Sequence, residues 1–295
     1  MRKELRGSIL LLLATVIWGS AFVFQSMGMD HIGPFTFQAV RCLIATAGLG
    51  PIIYLFDRKK PDGKTFFARW RNKTLWKAGA LCAIPLFIAV NFQQVGLVDT
   101  EAGKAGFLTA MYIVLVPVLG LFIGQKLRKN IPVSVLLGVL GLYFLSWAGV
   151  GSFRLSDMLL LGCALSFAFQ ILLVDKYAGD VDPLRLNCVQ SFLCGVLTVP
   201  FALTEKTTLG GLWNCAIPLL YTGFLPMGIA YSLQIFGQKY LKPAPAALIM
   251  SLESVFSLLF GWLLLGETLS VNETVGCAFV FVAVILSQLP EKQKV

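Results

Sequence analysis

Two ionisable residues lie well inside long apolar segments of this chain. Arg41 lies six residues into the second apolar segment, and Glu253 lies about halfway along the ninth. A charged side chain inside a bilayer costs about 2.5–3.5 kcal/mol on insertion scales, so such residues are functional candidates by default. Gln38 lies one helical turn before Arg41, and together they could hold a carboxylate by a forked, charge-assisted hydrogen bond.

Both charged residues also have simpler interpretations. Arg41 could bond backbone carbonyls or Glu253 instead, or extend to the outer membrane surface, which lies roughly 9 Å away at the rise of an α-helix. Glu253 is a candidate for proton coupling, because an ionised carboxylate is expensive at this depth. It could equally pair with a neighbouring helix or cap broken backbone.

Polar residues at a spacing of three and four predict helix faces that turn toward the interior of a bundle. Hydrogen bonding between helices explains such faces as readily as a wet cavity does. Aromatic side chains could wall a pocket for an apolar or aromatic ligand, or pack in the core or against lipid. Together with Arg41 and Gln38, the candidate binding residues are Trp18, Phe22, Asn91, Gln94, Tyr112, Asn187, Gln190, Tyr231 and Gln234.

The composition indicates that lipid is the solvent for most of the chain. Its 295 residues are 57% hydrophobic and 13% charged, with a mean hydropathy of +0.79. Soluble domains average about 45–50% apolar and about 25% charged residues, so a cytosolic enzyme is excluded. The apolar segments run approximately over residues 7–27, 35–56, 75–97, 102–123, 131–149, 157–174, 184–203, 214–237, 244–265 and 271–288.

These segments are too long and too evenly apolar for barrel strands, and hydrocarbon demands that each backbone polar group be paired within its own segment. The sequence therefore predicts an all-α polytopic membrane protein with ten transmembrane helices. Placing both termini in the cytoplasm puts eighteen loop Lys and Arg residues inside and only Lys104, Arg154 and Lys206 outside. The basic loop at residues 57–73 then lies near anionic lipid, which favours the bilayer over nucleic acid as its partner.

An internal repeat organises the ten segments. At an offset of 141 residues, Pro85, Gln93 and Gly96 correspond to Pro226, Gln234 and Gly237, and Ala105 corresponds to Ala246. At an offset of 149, the residues of the second segment correspond to those of the seventh: Pro34, Gln38 and Arg41 fall on Pro183, Asn187 and Gln190.

The first repeat spans residues 7–149 and the second spans residues 157–288. Because each holds five helices, the second copy enters the membrane from the opposite side, and sites in inverted repeats lie near the midplane where the repeats meet. Pro85 and Pro226 each remove a backbone donor and permit a kink, which makes them hinge candidates, although prolines also occur in spanning helices without such a role.

Several motifs resemble the EamA family of the drug/metabolite transporter superfamily. They are Trp18-Gly19 followed by Phe22, the stretch from Gln94 to Leu97 that leads into Ala102–Pro117, and Glu253 thirteen residues before Gly266-Glu267. The resemblance implies two five-helix EamA repeats and the movement of small metabolites, such as amino acids, across the bacterial inner membrane, often outward. One departure is Ser254, which stands where the family commonly has a proline after the glutamate.

The sequence gives little support for catalysis or for cofactors. His31 is the only histidine, neither HExxH nor CxxC occurs, and no serine has an evident base, which excludes a metal- or histidine-based enzyme. The expected partners are a small-molecule substrate and the lipid bilayer. Gly120-x-x-x-Gly124 could let the fourth helix pack closely on another helix or on a second subunit in a homodimer. If the protein is a transporter, the alternative is an exporter of cationic or amphipathic compounds. If it is not a transporter, the alternative is a membrane protein that binds lipid headgroups or assembles with a partner.

Overall fold

The computed structural model describes residues 2–60, 65–100, 102–146, 154–266 and 270–289. Within these ranges every regular element is a helix, and no β-strand occurs. The elements are α1 (Arg2–Met29), α2 (Pro34–Asp57), α3 (Phe66–Trp70), α4 (Lys73–Gly96), α5 (Ala102–Ala110), α6 (Tyr112–Phe122), α7 (Asn130–Ser146), α8 (Leu155–Tyr177), α9 (Pro183–Ala202), α10 (Leu209–Asn214), α11 (Ala216–Thr222), a π-helical segment (Gly223–Ala230), α12 (Tyr231–Gln238), α13 (Pro243–Met250), α14 (Glu253–Leu265) and α15 (Val271–Gln288).

The helices are long and apolar enough for a multi-pass membrane protein, which confirms the predicted all-α polytopic fold. Nine helical spans among the described residues are at least 18 residues long and sufficiently apolar to cross a bilayer. A further apolar helix at Asn130–Phe144 is shorter. The predicted fifth segment extends to residue 149, and residues 147–149 lie outside the described part, so the count of ten stays a prediction.

Matched helices of the two repeats begin in the same way. Pro34 is the first residue of α2, after the N-cap Gly33, and Pro183 is the first residue of α9, after the N-cap Asp182. The Asp182 carboxylate accepts a hydrogen bond from the Arg185 amide at 3.1 Å. Proline suits this position because its φ is already helical and its missing N–H would have had no partner. The prolines matched at the offset of 149 are therefore helix starts.

Three segments that the sequence predicts as continuous helices are interrupted. Met111 separates α5 from α6, and Ser251 and Leu252 separate α13 from α14. The third, residues 214–237, contains the π-helical segment, and Pro226 lies inside it. A π turn widens the helix locally and so accommodates a residue that cannot donate a backbone hydrogen bond. Pro85, by contrast, lies within the unbroken α4, so the matched prolines sit in different local structures.

The two repeats pack against each other along most of their length. Helix α1 packs on α12 and α14, α2 on α9, α4 on α8, and α7 on α15. One close approach occurs at Gly19, where an added Cβ would lie 2.4 Å from Cβ of Phe256 and 2.8 Å from the amide nitrogen of Ser257. Large apolar side chains on the outer faces, such as Leu136 and Ile285, are about 60% exposed, as lipid-facing residues are.

Two motifs differ from their sequence interpretation. Helix α6 ends at Phe122, and Gly124 follows it in the left-handed region at φ +80°. Gly120 and Gly124 therefore do not share a helix face, and the predicted homodimer loses this support. Gly266 ends α14 at φ +69°, while Glu267 of the same motif lies outside the described residues.

Candidate functional site

A cavity lies between the two repeats and has about 550 Å³ of space between protein atoms, counting its mouth. We call it the central cavity. Its walls come from α1, α2, α4 and α6 of the first repeat and from α8, the π-helical segment and α12–α14 of the second. The lining residues are Trp18, Ala21, Phe22, Gln25, Arg41, Gln93, Tyr112, Phe167, Gln170, Ile171, Pro226, Met227, Tyr231, Gln234, Met250 and Glu253.

Arg41 is the cationic group of the central cavity. It is 4% exposed, and its guanidinium donates through Nε to Gln38 Oε1 and through Nη1 to Gln25 Oε1, both at 2.5 Å. Among the described residues, Arg41 forms no ion pair, and its guanidinium donates hydrogen bonds through Nε and Nη1 but not through Nη2. Arg41 therefore neither pairs with Glu253 nor extends to the membrane surface. A buried cation with only neutral acceptors favours an anion, because burial of an unpaired charge is costly.

The equivalent residues of the second repeat form the same local bond without the charge. Gln190 Nε2 donates to Asn187 Oδ1 at 3.0 Å, as Arg41 donates to Gln38. Asn187 Nδ2 in turn donates to the carbonyl oxygens of Met227 and Gly228, at 3.0 and 2.7 Å, in the π-helical segment. Asn187 and Gln190 do not line the central cavity. They bind helices together and satisfy backbone carbonyls beside the π turn.

Tyr112 and Glu253 join the two repeats at the cavity wall. Tyr112 Oη donates to Glu253 Oε1 at 2.9 Å, and Glu253 is 6% exposed. Tyr112 is the first residue of α6 and Glu253 is the first residue of α14. The two are 141 residues apart, which is the repeat offset, so equivalent positions of the two repeats contact each other. Ser254 Oγ, at the position of the missing proline, donates to the Gly106 carbonyl at 3.0 Å.

Aromatic and amide side chains complete the cavity. Trp18 and Tyr231 pack edge to face, with ring centroids 5.1 Å apart. Gln234 donates through Nε2 to Gln170 Oε1 at 3.0 Å. Trp18 Nε1 and Gln234 Oε1 are buried and have no hydrogen-bond partner among the described residues. The Trp18 indole and the Gln234 amide thus add an unpaired donor and an unpaired acceptor to the cavity wall, the kind of polar groups that orient a ligand.

Some predicted residues lie outside the central cavity. Asn91 donates to the Phe87 carbonyl at 2.8 Å and to Thr198 Oγ1 at 3.0 Å, so it links α4 to α9. Gln94 is fully buried, and neither atom of its amide has a partner among the described residues. Gln38 holds Arg41 in place and does not line the wall, and Pro85 lies away from the cavity.

Three glutamines of the cavity wall were absent from the predicted set. Gln93 corresponds to the predicted binding residue Gln234 at the offset of 141, so the internal repeat could have predicted that Gln93 also lines the cavity. Gln25 follows Trp18 and Phe22 at helical spacing, so it shares their face of α1. Gln170 lies on a polar face of α8 and bonds Gln234.

Comparison with known proteins identifies the family. The EamA-like transporter family matches residues 5–147 and 154–289. A protein of Archaeoglobus fulgidus described as an uncharacterized transporter is 34% identical over 97% of this chain and 87% of its own. The uncharacterized transporter YoaV of Bacillus subtilis is 20% identical over 92% of this chain and 93% of its own.

More distant similarity extends to a plant protein and to a solved structure. A chloroplastic WAT1-related protein of Arabidopsis thaliana is 25% identical over 93% of this chain and 67% of its own. One crystal structure superposes with a TM-score of 0.77 at 17% identity and covers 96% of both chains, which shows a shared fold. With two family matches that cover nearly the whole chain, this multi-pass membrane protein belongs to the EamA-like transporter family.

Proposed function

We propose that this protein is a secondary transporter that exports a small carboxylate-bearing metabolite, an amino acid or a related compound, across the inner membrane by alternating access. The observation that carries the proposal is Arg41 in the central cavity, a buried cation whose partners are the neutral amides of Gln25 and Gln38. In the proposed orientation both termini lie in the cytoplasm, in accord with the one-sided distribution of basic loop residues.

The two ionisable residues of the cavity suit the two charges of an amino acid. A carboxylate can accept hydrogen bonds from the free Nη2 of Arg41, and an ammonium group can donate to Glu253. Glu253 has one protein partner among the described residues, the neutral hydroxyl of Tyr112, so its second oxygen is available to a ligand. The ring faces of Trp18 and Tyr231 supply apolar contact for a side chain.

Alternating access requires elements that can rearrange while the rest of each repeat stays packed. The breaks at Met111 and at Ser251-Leu252 and the π-helical segment all border the central cavity, and such interrupted helices surround the sites of many secondary transporters. Glu253 lies at one of these breaks, and we propose it as the group through which proton binding is coupled to movement. Pro226, inside the π-helical segment, is the proposed hinge residue.

A second candidate function is the export of cationic or amphipathic compounds. Glu253 favours it, because the carboxyl group lies in an aromatic-walled cavity and forms no ion pair among the described residues. Aromatic faces and a carboxylate together bind organic cations. The two candidates differ in the residue on which they depend: carboxylate export requires Arg41, whereas cation export requires Glu253.

The test compares wild type, Arg41→Gln, Arg41→Lys and Glu253→Gln at matched membrane levels in a bacterial host. Small molecules in medium and cytoplasm are profiled by mass spectrometry against an empty vector. Arg41→Gln places in the first repeat the residue that occupies the same position in the second, so it removes the charge in a context the fold already accommodates. We expect a carboxylate that accumulates in the medium with wild type, accumulates less with Arg41→Lys, and fails to accumulate with Arg41→Gln.

Two outcomes would overturn the carboxylate proposal. Equal accumulation with Arg41→Gln and wild type would show that Arg41 does not bind the substrate. If a cation is exported by wild type and by the Arg41 variants but not by Glu253→Gln, the second candidate function is favoured. Melting of the purified protein with amino acids, other carboxylates and organic cations tests binding directly, and a protein that no such compound stabilises would instead support a non-transporting role.

A further inference from the structure

A second cavity opens at the membrane surface where α2, α3, α4 and α9 meet. It has about 810 Å³ of open space and is separate from the central cavity. We call it the basic cavity, because four of its lining side chains are cationic and one is a carboxylate. Its lining residues are Lys60, Ala68, Arg69, Arg71, Asn72, Leu75, Asp182 and Arg185.

Local carboxylates neutralise only part of this charge. Arg185 is paired with Asp57, and Lys60 donates to Asp182 at 2.9 Å. Arg71 is exposed and forms no ion pair among the described residues. With Asp57 included, four cations face two carboxylates among the described residues, so the described part of the basic cavity has an excess of positive charge. Guanidinium groups bind phosphate oxygens in pairs, which makes a phosphate the anion that this cluster suits best.

An apolar groove lies beside the basic cavity and extends toward the membrane core. It has about 700 Å³ of open space. Its lining residues are Thr46, Phe66, Phe67, Trp70, Trp76, Cys188, Val189 and Phe192.

Trp70 joins the two features. Cζ of Arg185, in the basic cavity, lies 5.4 Å from the centre of the Trp70 ring, which lines the groove. The Trp76 indole donates to the Trp70 carbonyl at 2.7 Å and so fixes α3 against the start of α4. Trp70 Nε1 is buried without a hydrogen-bond partner among the described residues. A donor of this kind, between a cationic cavity and an apolar groove, matches the ester carbonyl of a glycerolipid.

The depth of the groove fits one leaflet. Thr46 lies eleven residues from the end of α2 at Asp57, and Phe192 lies nine residues from the start of α9 at Pro183. At 1.5 Å per residue these positions are about 16 and 14 Å below the surface, or about half of a 30 Å hydrocarbon core. The groove is therefore long enough for an acyl chain that starts at the headgroup level.

We propose that this protein binds one anionic phospholipid at this place, with the headgroup phosphate in the basic cavity and an acyl chain in the apolar groove. In the proposed orientation the lipid belongs to the cytoplasmic leaflet, where anionic lipids attract juxtamembrane basic residues. The chemistry is a phosphate diester joined to a hydrocarbon chain, and both parts are needed for tight binding. The inference does not depend on the substrate of the central cavity.

The test uses the purified full-length protein in detergent, stripped of lipid. Short-chain phosphatidylglycerol and phosphatidylcholine are added separately, and bound lipid is counted by native mass spectrometry. Arg71→Ala removes an unpaired cation of the basic cavity, and Thr46→Phe fills the groove. Lys59→Ala is the matched control, because Lys59 is exposed on the same basic segment but lines neither feature.

We expect wild type to retain one phosphatidylglycerol in preference to phosphatidylcholine. Arg71→Ala should weaken the apparent Kd by about fivefold, a typical contribution of one juxtamembrane cation. Thr46→Phe should reduce retention while the protein still melts as wild type does, and Lys59→Ala should bind within about twofold of wild type. Equal binding of both lipids, equal losses with Arg71→Ala and Lys59→Ala, or stabilisation by inorganic phosphate alone as strong as that by the lipid would overturn the proposal.

Discussion

Loss of one member of the Asp57–Arg185 ion pair should destabilise the protein by about 3 kcal/mol. The pair joins the end of α2 in the first repeat to the first turn of α9 in the second, and Arg185 Nη2 donates to Asp57 Oδ2. The side chains are 6% exposed for Asp57 and 3% for Arg185. Substitution of one partner leaves a charge buried away from water, and such losses cost about 3–5 kcal/mol.

Neighbouring charges set the magnitude at the lower end of that range. In Arg185→Gln, two cationic atoms remain near Oδ1 of Asp57: Nζ of Lys60 at 3.6 Å and Nε of Arg69 at 3.7 Å. In Asp57→Asn, Arg185 keeps Asp182 at 3.5 Å. Each single substitution therefore leaves a partly compensated charge. The double variant leaves neither charge of the pair without its partner. We therefore expect its loss in the free energy of unfolding to be about 2 kcal/mol smaller than the sum of the losses in the two single variants.

The assay is thermal unfolding in detergent with a thiol-reactive fluorophore. It suits this chain because Cys42, Cys82, Cys163, Cys188, Cys194 and Cys215 are free and buried in the folded protein. With an unfolding entropy of about 2.1 cal/mol/K per residue, a loss of 3 kcal/mol in 295 residues lowers Tm by roughly 5 °C. Lys59→Gln, an exposed neighbour in the same segment, controls for the loss of one charge.

The double-variant cycle decides whether the reasoning holds. Single variants that melt within about 1 °C of wild type would show that the pair contributes little to stability. A double variant as unstable as the sum of the single variants would show that the two residues act independently, and the repeats would then be joined at this surface by other contacts.

Three further predictions test the packing and the surface charges. Gly19→Ala should lower stability by about 1–3 kcal/mol, measured as Tm, because the new Cβ would overlap the backbone of Phe256; Gly50→Ala, where nothing lies within 4 Å, is its control. Asn187→Ala should lower Tm as well, since it leaves carbonyls of the π-helical segment without donors at a cost of about 1–3 kcal/mol. Burial alone would raise the pKa of Asp182, but hydrogen bonds from Lys60 and from the backbone, with the nearby positive charges, hold that pKa below its ordinary value. Its ionised form therefore stabilises the fold above about pH 4 and loses this effect at lower pH, so Tm should fall less for Asp182→Asn than for wild type between about pH 5 and pH 3.

The sequence predicts where helices begin and end far better than where they break. Hydropathy predicts the long helices because a segment that crosses hydrocarbon must be apolar and must pair its backbone polar groups internally. Pro34 and Pro183 indicate the matched helix starts. Neither glycine nor proline occupies the breaks at Met111 and at Ser251-Leu252. Those breaks accompany contacts between helices far apart in the sequence, such as Ser254 with the Gly106 carbonyl, and local composition does not encode such contacts.

The candidate site was predictable where a single rule applies to a single residue. Arg41 and Glu253 followed from the cost of charge in a membrane, and both line the central cavity. Polar spacing alone did not distinguish the wall of a cavity from a bond between helices. Asn91 bonds Thr198, and Asn187 bonds the π-helical segment, although both have the same pattern as cavity residues. The partner of a polar side chain depends on which helix lies opposite, and that is a property of the packed bundle.

The contact between Tyr112 and Glu253 also shows what two repeats gain by differing in sequence. Residues at equivalent positions of two repeats can touch only near the axis that relates them, where in a dimer of identical single repeats each residue would meet its own copy. Two glutamates there would repel each other, and two tyrosines would offer no carboxylate. The two repeats of this chain differ in sequence, so one position supplies the acid and the other its hydrogen-bond donor. Asymmetry at the axis is therefore a chemical advantage that two repeats of different sequence have over a dimer of identical repeats.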